Sequence, residues 1–224
     1  MNVLALETST EHCSVALLHR GGTAVRSELA GQRHSELLLP MVDAVLAQAG
    51  LGLAELDGIG FGAGPGSFTG LRIACGVAQG LALGAGLKVV PVGTLLALAH
   101  AAGAGRVLAC LDARMGEIYL AAYERDAGGW TERIAPSVCT AQAAPPLEGD
   151  GWIAVGSAFR AHGDALEVRY RGQLAGVDRD AWPQAVAVAG LAAQALEAGG
   201  GLPAEHAAPL YVRDRVALKM HEQR

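Results

Sequence analysis

GAGPGSFTGLRIACG, residues 62–76, is a glycine-rich turn that opens a helix and lacks the lysine of a usual phosphate site. A Walker cradle needs a lysine and a hydroxyl after its glycines, whereas Gly66 is followed here by Ser67, Phe68, Thr69 and Gly70. The dinucleotide pattern fails too: begun at Gly60, Gly62 or Gly64, its third glycine falls on Pro65, Ser67 or Thr69. Two readings stay open. Backbone amides at the helix start can bind an anion or nucleotide phosphate, with Gly64, Gly66, Ser67 and Thr69 as its contacts. Alternatively, Gly64 and Gly66 supply positive-φ turn positions and Ser67 or Thr69 caps the helix.

On either side of the turn, residues 56–62 and 88–92 read as strands and residues 70–83 as the helix between them, a βαβ unit with parallel pairing. Upstream, NVLALETS and CSVALLHR form a hairpin, residues 23–29 a third strand, and residues 35–49 a helix with Ser35 as N-cap and Gly50 as its stop. RVLACLDARMGEIYLAAYERDAGG, from Arg106, repeats the opening at an offset of roughly 104 residues and brings Glu7 opposite Asp112. Further on, AAPPLEGDGW reads as a loop, WIAVGSAF as a strand and turn, and PQAVAVAGLAAQALEAGGG as a helix. PLYVRDRVALK is a candidate strand returning to either domain. Two similar domains are therefore expected, 1–104 and 105–207, with 208–224 a candidate to rejoin the first. Facing domains that each begin with an acidic hairpin predict an α/β fold of the duplicated actin-like ATPase (ASKHA, ribonuclease H-like) type.

Composition narrows the function classes. The 224 residues are 51% hydrophobic and 17% charged, the balance of a packed soluble protein. No apolar run reaches the roughly 20 residues of a membrane span and no basic segment precedes the first apolar one, so the expected compartment is the cytosol. Cys13, Cys75, Cys110 and Cys139 lie far apart and read as buried thiols. A net charge of -5 gives no broad basic surface, so any nucleic acid is held mainly by another subunit.

The helix behind the turn has Gly76, Gly80 and Gly84 in one stripe and Ala74, Ala78 and Ala82 in the next. Each interior glycine costs about 1 kcal/mol relative to alanine, which is reasonable only where something approaches the backbone closely. That neighbour is either a helix of the same domain or a second chain. In the 35–49 helix, Leu38, Met41, Val42 and Val45 form one apolar stripe and Leu37, Leu39, Ala44 and Leu46 extend it round the cylinder, which predicts burial on two sides. His34, Leu38, Met41, Val42, Val45, Arg72, Gly76 and Gly80 are thus the candidate interface residues.

The motif GPGSFTGLRIACG, with VLALETST, RHSELLLPMV, DARMGEIY and PLYVRD, resembles the TsaB (YeaZ) family of threonylcarbamoyl-adenosine biosynthesis proteins over nearly the whole chain. The resemblance implies an actin-like fold without its own catalytic site, pairing through these two helices with its catalytic homologue TsaD, or with a second copy when TsaD is absent. It also implies recruitment of the ATPase TsaE, contact with tRNA only through the complex, and transfer of threonylcarbamoyl to the adenosine beside the anticodon. No cofactor of its own is expected, with ATP a candidate at the complex interface. The metal-binding HxxxH of the catalytic homologue is replaced: in VGTLLALAH, Thr94 and Leu98 occupy its two positions and His100 reads as a surface or capped histidine. No residue is assigned a catalytic or metal-binding role.

Four further elements are weighed on their own chemistry. Asp112, Arg114 and Glu117 either face a nucleotide or neutralise one another. Glu7, Thr8 and Ser9 either reach phosphates or satisfy their own turn. The duplicated hairpins alone permit an actin-like ATPase or kinase. A hydrolase based on Ser67 lacks a histidine partner and the GxSxG elbow.

Overall fold

The computed structural model describes residues 1–20 and 22–212. Its first sheet begins with β1 (Val3–Glu7), β2 (His12–His19) and β3 (Gly22–Leu29), an antiparallel meander. Helices α1 (His34–Ala49) and α2 (Phe68–Ala85) flank β4 (Gly58–Gly64), and β5 (Lys88–Gly93) leads into α3 (Thr94–Ala102). The chain then repeats itself as β6 (Arg106–Asp112), β7 (Glu117–Asp126) and β8 (Gly129–Thr140). Next come β9 (Trp152–Val155), the short helices α4 (Ala158–Ala161) and α5 (Gly163–Arg169), β10 (Leu174–Asp178), α6 (Ala185–Glu197) and β11 (Leu202–Pro203).

The strand orders are β11-β5-β4-β1-β2-β3 and β10-β9-β6-β7-β8. Apart from β11 they correspond strand for strand: each has an antiparallel hairpin at its centre, a third antiparallel strand on one side and two parallel strands on the other. The duplicated α/β architecture follows directly. The second copy is harder to read because residues 141–151, which lead into β9, form no α-helix where the first copy has α1.

Strand alternation sorts the first core into two layers. Leu4, Leu6, Ile59 and Phe61 pack beneath α1 and α2, whereas Val3, Ala5, Val90 and Val92 pack against α6. The first two glycines of β4 follow from this. A Cβ on Gly58 would lie 2.7 Å from Leu196, and one on Gly60 2.7 Å from Ala192, so α6 rests almost on the strand backbone.

This packing corrects the expected domain limits. The return to the first domain starts with α6, near residue 185, and not at 208, and β11 adds to the β5 edge. α3 serves both halves: Leu95, Leu98 and Ala99 join the core with Val107, Ala109 and Val155, while Ala97 belongs to the α6 layer. The crossing at α6 is fastened by Ser14, whose Oγ accepts the Ala185 N–H at 3.0 Å. Ser14→Ala is expected to cost about 1 kcal/mol, read as a lower urea midpoint at unchanged slope.

Helix ends differ from expectation in small ways. α1 starts at His34, with Arg33 preceding it and no side-chain cap, because the buried His34 ring fixes the start instead. α2 starts at Phe68 with Ser67 as the cap, runs through Gly84, and stops at the left-handed Gly86. By length and composition α2 could cross a membrane. In the fold it lays Leu71, Ala74, Ala78 and Ala82 on the sheet.

Candidate functional site

The glycine turn is built around the end of β1. Gly62 has the Glu7 carboxylate above it, where a Cβ would fall 2.0 Å from Oε2. Gly66 lies against the Ser9 carbonyl, at 2.5 Å from such a Cβ, and Gly70 against the Thr8 carbonyl, at 1.9 Å. Hydrogen bonds complete the lock: Ser67 N–H donates to Ser9 O (2.7 Å) and Thr8 Oγ1 donates to Gly70 O (2.7 Å). The motif's glycines thus exist for close backbone approach. Of the two turn positions expected to need positive φ, only Gly64 has it (+124°); Gly66 is required by the Ser9 contact.

Of Glu7, Thr8 and Ser9, Glu7 satisfies its own turn: its Oε1 accepts the Ser9 N–H at 2.6 Å. Thr8 bonds to Gly70 instead, Ser9 Oγ has no partner among the described residues, and all three residues are buried. His34 is tied to the same turn, its Nε2 2.9 Å from Thr10 O, which assigns the proton to that nitrogen.

Between the domains lies a cleft of about 1060 Å³, walled by the Ser9–Glu11 turn, residues 65–71, the end of β6 and Arg160. At the α2 start, the Gly70 amide is held by Ser67 Oγ (3.3 Å) and the Ser67 amide by Ser9, which leaves the Phe68 and Thr69 amides to face any anion. Gly64 is removed from the cleft: its amide donates to Thr94 Oγ1 (3.1 Å) and Leu210 O covers it. Of the four candidate anion contacts, the cleft therefore brings together Gly66, Ser67 and Thr69.

Across the cleft, Asp112 ends β6 as Glu7 ends β1, yet it is partly exposed. Its Oδ1 accepts the Arg114 N–H (3.1 Å), its Oδ2 lies 3.5 Å from Arg114 Nη1, and its own amide donates to Ser157 Oγ (3.1 Å). Arg114 thus pairs with Asp112, and the Glu117 amide closes the turn onto Arg114 O. Thr94 and Leu98, the two positions matched to histidines, are fully buried. His100 is half-buried and not a surface residue: it accepts the Trp130 Nε1–H at 3.1 Å and packs on Gly190, and burial lowers its pKa.

The candidate interface residues separate into two groups. Leu38, Met41, Val42 and Val45 are buried in the core of their own domain, so their side chains are not available to a partner, and neither is the His34 ring. The outer side of α1 carries Leu39, Pro40, Asp43 and Ala47. A helix packed on a sheet buries its most apolar stripe there first, which leaves α1 a mixed polar and apolar outer side. Arg72, Gly76 and Gly80 do lie on the exposed side of α2. Among the described residues no atom beyond the helix's own backbone comes within 4 Å of a Cβ built on Gly76, Gly80 or Gly84, whereas Ala74, Ala78 and Ala82 are the buried stripe.

The start of PLYVRDRVALK does return to the first domain, though not as a strand. Leu210 N–H donates to Ala63 O (2.7 Å), which places the chain's last described residues beside β4 of the first domain, in no strand. Tyr211 accepts a hydrogen bond from Arg72 Nε (3.0 Å) beside Phe68, whose ring lies 3.7 Å under the Arg72 guanidinium. Most of PLYVRDRVALK lies outside the described residues. The stacking of His12 on Trp182 at 4.2 Å joins positions with no shared motif.

Comparison with known proteins agrees with this architecture. Residues 15–218 match the family model described as TsaD, tRNA N6-adenosine threonylcarbamoyltransferase. The Escherichia coli tRNA threonylcarbamoyladenosine biosynthesis protein TsaB is 40% identical over 98% of this chain and 97% of its own length. Its Haemophilus influenzae counterpart is 41% identical over 98% and 96%. YeaZ from Pseudomonas aeruginosa has the same fold at a TM-score of 0.87, with 38% identity over 94% of this chain and 99% of that one. With its duplicated sheets and its glycine turn closed on the end of β1, the chain belongs to the TsaB (YeaZ) family of tRNA threonylcarbamoyladenosine biosynthesis proteins.

Proposed function

We propose that this chain is a non-catalytic subunit that supports threonylcarbamoyl transfer to the tRNA adenosine beside the anticodon. It pairs with TsaD through the outer face of α2 and the adjoining surface of α1, helps recruit TsaE, and pairs with a second copy of itself when alone. Contact with tRNA runs through the complex in the cytosol. The observation that carries this reading is the stripe Gly76, Gly80 and Gly84, which has nothing within 4 Å among the described residues. Glycines in an uncovered helix interior cost about 1 kcal/mol each and are accounted for by a partner helix that approaches the backbone. The chain has no nucleotide of its own in this reading, because the turn backbone fills the space beside Gly66 and Gly70; ATP belongs to the shared interface.

The test is reconstitution with a cognate TsaD and TsaE. The chain should co-elute with TsaD on size exclusion, and transfer to tRNA should require it while the chain alone transfers nothing. Separate elution at micromolar concentrations would defeat the proposal. Calorimetry that showed tight magnesium-ATP binding to the isolated chain would instead favour an ATPase, the reading that the free Phe68 and Thr69 amides keep open.

A further inference from the structure

Glu7 is a carboxyl group to which the proposed function gives no task. It shares its side of β1 with Val3 and Ala5, is 1% exposed, and its Oε2 has no hydrogen-bond partner among the described residues. Its other oxygen holds the Ser9 amide, so the group sits under the contact between the Thr8–Ser9 turn and the glycine turn. Isolated buried carboxylates are costly, and such a group takes up a proton unless a cation answers it.

Among the described residues no cation does so. β4 offers Gly62, α6 has no ionisable side chain before Glu197, and the stretch 62–71 has none at all. From β2 the titratable neighbour is Cys13, an acid whose own thiol burial pushes up to about 11. Burial raises the Glu7 pKa to about 7, and hydrogen bonding from Ser9 and Thr8 offsets only part of that.

We propose that Glu7 is a proton-operated catch on the contact between the β1 turn and the glycine turn. Protonated, it lets Thr8 and Ser9 seat on Gly70 and Gly66; ionised, it loosens that seat and the first turn of α2 with it. The sign is fixed by linkage. A folded-state pKa above the unfolded value of 4.5 gives stability that is complete below 4.5 and is lost as pH rises through about 7.

Amide hydrogen exchange on the intact protein tests this. After correction for intrinsic rates, protection in peptides covering residues 5–11 and 64–72 should fall about tenfold between pH 6 and pH 8, and protection in β6 and β7 should not. Glu7→Gln should remove the pH dependence. The proposal is overturned by unchanged protection in the wild type, by an equal loss throughout the second domain, or by a pH dependence that survives the substitution. Should Glu7→Gln not fold, the side-chain carboxyl carbon of the wild type gives the answer in a nuclear magnetic resonance titration: a midpoint near 7 supports the catch and one near 4.5 rules it out.

Discussion

Gly70→Ala should destabilise the protein by about 3 kcal/mol, while Gly76→Ala, six residues along the same helix, should stabilise it by up to about 1 kcal/mol. Both add one methyl group to α2. At Gly70 the new Cβ would stand 1.9 Å from the Thr8 carbonyl oxygen, a backbone atom of the buried turn that follows β1 and is tied by Ser9 N–H to Glu7 Oε1. The helix cannot retreat without breaking the Thr8 Oγ1 to Gly70 O hydrogen bond. At Gly76 the methyl enters open space and only the helix propensity changes. Urea unfolding at equal slope measures both. A Gly70→Ala midpoint equal to wild type would mean that the turn and the helix do not interlock as described.

The second large effect concerns binding and not folding. Gly80→Leu should leave the isolated protein folded, since nothing among the described residues stands within 4 Å of that position, and should weaken association with TsaD by about 100-fold, the scale of an interface hot spot. In the proposed complex a leucine there would hold two helices apart at the point where glycines would let backbones meet. Val168→Ser provides the control: Val168 is exposed on α5 of the other domain, and its loss should change neither stability nor binding. Unaltered affinity in Gly80→Leu, with a normal melting curve, would remove α2 from the interface. The proposed partner would then need another surface.

The two stripes of α2 show how far sequence reasoning reached and where it stopped. Their four-residue spacing is plain in the chain, and both are built of small residues. Spacing alone does not say which one faces the sheet. The alanines do so because a methyl fills the gap to β4, and the glycines are left outside. For α1 the same ambiguity misled: Leu38, Met41, Val42 and Val45 were expected at an interface, but the most apolar stripe of a helix goes first to its own sheet. Residues 56–62 were legible as a strand, yet the reason for Gly58 and Gly60, α6 lying against them, comes from residues more than 120 positions away.

The sequence by itself determined the duplicated α/β architecture and the family, because hairpin, crossover and glycine motif are local patterns repeated in order along the chain. It also excluded a lysine-based phosphate cradle at residues 62–76. Only the tertiary structure decided what that glycine turn holds. A glycine announces that something comes close, but which atoms come close depends on strands brought together from elsewhere: here Glu7, Thr8 and Ser9 from β1 and Leu210 from the far end.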